Sequence, residues 1–142
     1  MSRVFVSRVL PGHSLDRLRD AGHEVDVWPH ALPPLPDELR EHLSGADGLL
    51  SMVSDRIDSA LLDTAPELKV IANYGVGFDN IDLLRCRRRG VAVGNTPDVL
   101  TNATADLAFT LLLACARNIF TAAAAVRDGT WACWEPTGFL GA

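Results

Sequence analysis

Five short apolar runs recur through the first two-thirds of the chain: RVFVSRV at 3–9, HEVDVW at 23–28, DGLLSMV at 47–53, LKVIAN at 68–73 and VAVGN at 91–95. Between them lie stretches with helical spacing. LDRLRDA follows Ser14 as a candidate N-cap and precedes Gly22; DELREHLS stops at Gly45; IDSALLDTAP starts beside a cap at Asp58; IDLLRCRRR ends at Gly90. Strands separated by helices cannot pair through tight hairpins, so they pair in parallel through crossovers that lay helices against the sheet. The chain is therefore predicted to be α/β, a parallel sheet of about five strands with helices on both faces. DGLLSMV and LKVIAN, almost continuously apolar, are expected to be covered on both sides. HEVDVW alternates with period two and suits a less buried strand, and Pro29, Pro33, Pro34 and Pro36 punctuate the loop that follows it.

After Pro97 the pattern changes. TNATADLAFTLLLACAR, Thr101 to Arg117, is rich in helix formers and apolar nearly all round, which predicts a helix buried on most sides. AAAAVRDG extends or follows it, and TWACWEPTGFLGA reads as loop. Five strands and four short helices offer little cover for such a helix. The expectation is that it packs against something further, that the chain divides into 1–100 and 101–142, and that FLGA interrupts a longer fold.

Composition narrows the partners. A net charge of -5 over 142 residues argues against a phosphate-backbone binder, which needs clustered Lys and Arg. Arg85, Arg87, Arg88 and Arg89 lie in a helical pattern and read as a solvated face. Cys86, Cys115 and Cys133 are odd in number and widely spaced, so neither a disulfide framework nor a CxxC metal site is expected, and a reduced, cytoplasmic protein fits best. The opening residues do not combine a charged start, an apolar stretch and a small-residue cleavage site, so a secretory signal is not expected. The longest apolar stretch, Leu107 to Ala116, falls short of the roughly 18 residues of a membrane span.

Residues 73–80, NYGVGFDN, carry the most chemical information. A dinucleotide fingerprint requires G-x-G-x-x-G after the first strand; here Gly75 and Gly77 are followed by Asn80, and the segment follows the fourth strand. A second reading uses the same backbone freedom. Glycines flanking Val76 can take positive φ, and successive N–H groups at a strand's carboxyl end can converge into a nest for an anion such as a carboxylate. A glycine-rich turn that merely reverses the chain is the third.

LKVIANYGVGFDNID, followed by RRRGVAVGNTPDVLTNATADLAFTLLLACAR, resembles the D-isomer-specific 2-hydroxyacid dehydrogenases. PDVLT and the later W-x-x-W are most similar to the glyoxylate and hydroxypyruvate reductase branch. The resemblance implies a flavodoxin-like, doubly wound substrate domain and a Rossmann cofactor domain, with the site in the cleft between them. On this basis the long helix is a crossover element belonging with a Rossmann domain missing from this chain, and 101–142 holds that helix and a dimerisation loop. The resemblance also implies that main-chain N–H groups of Val76 and Gly77 receive the carboxylate of a small 2-oxo or 2-hydroxy acid. Gly75 supplies the turn, and Met52 and Val53 stand beside the cleft.

By the same resemblance, Thr104 approaches the nicotinamide side of NAD or NADP, which is reasonable near a helix N-terminus. The alternative for Thr104 is a threonine capping its own helix. Asn102 stands where many relatives carry an acidic residue. The family's histidine, its carboxylate and its arginine have no counterpart motif here, so no catalytic residue is assigned. His13, His23, His30 and His42 are read as surface or loop residues. Trp134 matches a position that reaches a dimer partner's cleft, although packing within its own chain is the alternative for it and Trp131. The implied activity is NAD(P)-dependent reduction of glyoxylate- or hydroxypyruvate-type acids, with the isolated chain inactive. The competing expectation is a non-catalytic flavodoxin-like module for dimerisation or ligand sensing.

Overall fold

The computed structural model describes residues 1–142, which divide into two compact units, Met1–Asp98 and Val99–Ala142. In the first, β1 (Arg3–Val6), β2 (Glu24–Val27), β3 (Gly48–Met52), β4 (Val70–Tyr74) and β5 (Ala92–Gly94) alternate with α1 (Asp16–Asp20), α2 (Pro36–Leu43), α3 (Ser59–Asp63) and α4 (Leu83–Arg89). All strand pairs are parallel, in the order β2-β1-β3-β4-β5. This is the flavodoxin-like doubly wound order. The elements form as their sequences predict, with local differences. Asp58 caps α3 by accepting from the Leu61 N–H at 3.0 Å, and Gly90 ends α4 at φ 71°. Ser14, by contrast, does not cap α1; Leu15 stands there without a side-chain bond.

The winding reverses at β1. Right-handed crossovers therefore place α1 on one face and α2, α3 and α4 on the other. Register makes the crowded face legible: Phe5 pairs with Leu49, Leu49 with Ile71, and Ile71 with Val93. Phe5, Leu49 and Ile71 are at most 2% exposed. They pack with Leu39 and Leu43 of α2, Leu61 and Leu62 of α3, and Cys86 of α4. Burial raises the Cys86 thiol above its ordinary value. Cutting one of the large aliphatic side chains back to Ala costs on the order of 2–5 kcal/mol.

The opposite face departs from expectation. LKVIAN was expected to be covered on both sides, yet β4 alternates buried and exposed, with Val70 and Tyr74 about half exposed. The reason is topological: α1 is the sole helix on that face, and it packs against β2, three strand spacings from β4.

In the second unit, α5 (Thr101–Ala116) and α6 (Ile119–Arg127) are separated by a break at Arg117 and Asn118, where Asn118 takes φ 53°. The two axes bend by 69°. The segment after α6 holds no helix or strand; it returns to α5, where the Ala142 N–H donates to the Ala116 carbonyl at 2.7 Å. The expectation that α5 is buried on most sides does not hold in this chain: Ala114 is its one buried residue, and Phe109 is 67% exposed. Within its own unit, α6 is the one helix that packs on it. No single helix is long and apolar enough to cross a membrane.

Candidate functional site

One row beyond Phe5, Leu49 and Ile71, the same face of the sheet turns polar. The next inward positions are Ser7, Ser51 and Asn73, each 2% exposed or less. Such groups must find partners when removed from water. Ser51 Oγ donates to Asn73 Oδ1 at 2.9 Å, and Asn73 Nδ2 donates to the Gly77 carbonyl at 2.7 Å. Asn80 Nδ2 donates to the Asp55 carbonyl at 2.9 Å and to that of Met52 at 3.2 Å. Together these bonds stitch the carboxyl ends of β3 and β4 to the loop that follows β4. The sequence signal was present in F-V-S, L-L-S and I-A-N, where an apolar residue is followed two positions later by a polar one.

In this strand order a ligand crevice is expected where the winding reverses, between the carboxyl ends of β1 and β3. Here that crevice is filled. Ser7 Oγ donates to the carboxylate of Asp55, which also accepts from the Met52 N–H at 2.8 Å. Asp55 is 4% exposed. The open ground lies one strand further across, after β4.

The loop there comprises Gly75, Val76 and Gly77, and the structure brings it together with Met52 and Val53. Met52 pairs with Tyr74, the last residue of β4. The role expected of the glycines needs correcting: neither takes positive φ, so the chain forms no nest by left-handed glycine. Gly75 is required for a different reason. A Cβ there would collide with Cγ1 of Val53.

The loop's hydrogen bonding is lopsided. The Gly75 carbonyl accepts from the Thr96 N–H at 2.9 Å, and the Val76 carbonyl accepts from Asn95 Nδ2 at 2.8 Å. In an extended strand, successive carbonyls point to opposite sides. Here two in a row face the segment that follows β5. A trans peptide unit is planar with N–H opposite C=O, so the N–H groups of Val76 and Gly77 both face away from Asn95 and Thr96. Neither makes a hydrogen bond within the chain, and Val76 is 45% exposed. Two adjacent donors, oriented by their carbonyls and without partners in a loop that is exposed at Val76 and half-buried at Gly77, suit an anion. The carboxylate of Asp79 opposes this: its Oδ1 lies 3.0 Å from where a Cβ on Gly77 would stand.

The remaining candidates lie elsewhere. Thr104 is exposed in the first turns of α5, and its N–H is committed to the Leu100 carbonyl at 2.9 Å. The alternative of a self-capping threonine is not what forms, since Leu100 is the N-cap and no side chain caps the helix. Trp134 is 76% exposed and Trp131 52%; both line a concavity of about 600 Å3 between α6 and the following segment. His42 is not in a loop, and it is half-buried where a surface residue was expected. It sits on α2, stacked on Phe5 with ring centroids 4.6 Å apart, with Nδ1 2.8 Å from Asp26. The His42–Asp26 pair has the composition of a catalytic dyad, but Asp26 lies on β2, three strand spacings or roughly 14 Å from β4.

Residues 4–131 match the model of the D-isomer specific 2-hydroxyacid dehydrogenase catalytic domain. The chain is 46% identical to the glyoxylate reductase of Thermococcus gammatolerans, over 98% of this chain and 42% of that protein. Among solved structures it is similar to the TT0316 protein of Thermus thermophilus, with TM-score 0.93 and 51% identity over 98% of this chain and 44% of that one. The NADPH-dependent glyoxylate/hydroxypyruvate reductase of Sinorhizobium meliloti, solved with NADP and malonate, matches at TM-score 0.73 and 32% identity, over 92% of this chain and 39% of the other. The chain thus spans less than half the length of the relatives it matches. With the family model matched across most of its residues and the same fold in these relatives, the chain belongs to the D-isomer specific 2-hydroxyacid dehydrogenase family.

Proposed function

We propose that residues 1–98 serve as the substrate-binding portion of an NAD(P)-dependent 2-hydroxyacid oxidoreductase acting on glyoxylate- or hydroxypyruvate-type 2-oxo acids. The Val76 and Gly77 N–H groups receive the carboxylate of that small acid. The observation that carries this reading is the pair of unpartnered amides whose carbonyls are tied to Asn95 and Thr96. Gly75 lets the loop close on Val53, and Met52 and Val53 form the adjoining wall. The relative solved with malonate, a dicarboxylate, and the glyoxylate reductases of similar sequence support the same substrate class.

Two charge-assisted hydrogen bonds supply about 3–6 kcal/mol before the costs of association. Asp79 and a net charge of -5 work against an anion. Binding by this chain alone is therefore millimolar or weaker, roughly.

The resident cofactor of this reading is NAD or NADP, which in its reduced form would supply the hydride. Thr104 offers it one exposed hydroxyl, while Gly75, Gly77 and Asn80 do not make a dinucleotide fingerprint and face no phosphate cradle. These residues provide a contact and not a cofactor site, so no hydride step is derived from them. The isolated chain accordingly binds without turnover. The exposed indole of Trp134 is assigned to a homodimer contact, a role that suits a large ring with few torsions. Three unpaired cysteines fit a reducing, cytoplasmic setting.

The test is an amide NMR titration of the 142-residue chain with glyoxylate, with uncharged glycolaldehyde as control. Glyoxylate is expected to shift the Val76 and Gly77 resonances and glycolaldehyde to leave them in place. Equal response to both compounds, or response confined to other residues, would sink the assignment. Oxidation of added NADH or NADPH by the purified chain in the presence of glyoxylate would overturn the claim that it binds without turnover.

A further inference from the structure

We propose that Asn95 is a positioning residue for the carboxylate cradle, acting through the peptide unit between Val76 and Gly77. The inference rests on the substrate reading above and extends it to a side chain outside the glycine loop. A carbonyl can only accept, so the atom of Asn95 that faces Val76 O at 2.8 Å is Nδ2, and it donates. That bond fixes the carbonyl end of the 76–77 peptide. Because the unit is rigid and trans, fixing one end aims the other, which is the Gly77 N–H.

The neighbouring peptide is held differently. The Gly75 carbonyl accepts from the backbone N–H of Thr96, a donor that no side-chain substitution at 95 removes. Each of the two cradle donors thus has its own anchor: a main-chain anchor for Val76 N–H and a side-chain anchor for Gly77 N–H. Without the Asn95 carboxamide, the 76–77 peptide has no other hydrogen-bonded partner on its carbonyl. Its flanking glycine at 77 lets it rotate at little steric cost. Asn73 does not substitute, since its bond is to the Gly77 carbonyl and fixes the following peptide.

This division makes a prediction that a general loss of structure does not. In Asn95→Ala, glyoxylate affinity falls about tenfold, as expected for losing one aimed donor. The Gly77 amide stops responding to glyoxylate, while the Val76 amide still shifts. Asn95→Asp, nearly isosteric, falls further because it places one acceptor against another and adds a like charge. In the unsubstituted chain, the Asn95 side-chain amide protons move with the same midpoint as Gly77.

The experiment is the same NMR titration applied to the three full-length chains. Wild-type affinity retained in both variants overturns the positioning role and leaves the substrate reading intact. So does an Asn95 carboxamide signal that stays still while Gly77 shifts in the wild type. No response of Val76 and Gly77 in the wild type overturns the substrate reading, and the positioning role with it.

Discussion

Gly75→Ala separates two explanations of a glycine that look identical in sequence. Gly75 does not take left-handed φ, so alanine is conformationally allowed there. What alanine meets is the Val53 side chain, whose Cγ1 occupies the space of the new methyl. Val53 is 56% exposed, so it is not caged and can turn about χ1. Leaving its preferred rotamer costs about 0.5–1.5 kcal/mol, and overpacking of an enclosed site about 1–3 kcal/mol. The half-open setting places the expected loss at roughly 1–2 kcal/mol. The assay is urea unfolding followed by Trp28, 7% exposed in the first unit, in a background where Trp131 and Trp134 are Phe. A double-mutant cycle with Val53→Ala should recover most of the loss, because the collision needs both methyl groups. If Val53→Ala recovers nothing, the requirement at 75 lies in the backbone and the close-approach explanation is refuted.

Two further outcomes follow from the polar groups. Asn73→Ala leaves the buried Ser51 Oγ without its acceptor and the part-buried Gly77 carbonyl without its donor. It should destabilise the first unit by about 2–4 kcal/mol, and a loss under about 1 kcal/mol in the same unfolding assay would contradict the network. At the amino edge of the sheet, the hydrogen bond from Lys69, then that from the Arg3 N–H, holds the Asp47 carboxyl below its ordinary value. A carboxylate whose folded value is depressed contributes stability above the unfolded value and loses it as pH falls through the folded one. Stability measured across the acid range should therefore decline less steeply in Asp47→Asn, and an unchanged acid slope would contradict the assignment.

The periodicity of the sequence was enough to specify the architecture of the first unit, because β-branched runs, helical spacing and punctuating glycines are local signals that pointed to the same answer. Periodicity left strand order open; the resemblance implied the flavodoxin-like order that the pairing shows, and that order accounts for the exposed face of β4: with the winding reversed at β1, no helix of this unit lies over Val70 and Tyr74. The loop at 75–77 was visible as chemistry in G-V-G, but its mechanism was not. Sequence suggested positive φ; the structure shows a Gly75 whose added Cβ would meet Val53, and loop carbonyls that accept from Asn95 and Thr96, some twenty residues away. Ser7, Ser51 and Asn73 each stand two positions after an inward apolar residue in the sequence, but only register aligns them as one polar row. Local propensity is written along the chain, whereas the aim of a peptide N–H depends on what its carbonyl meets in space, and only the folded sheet decides that.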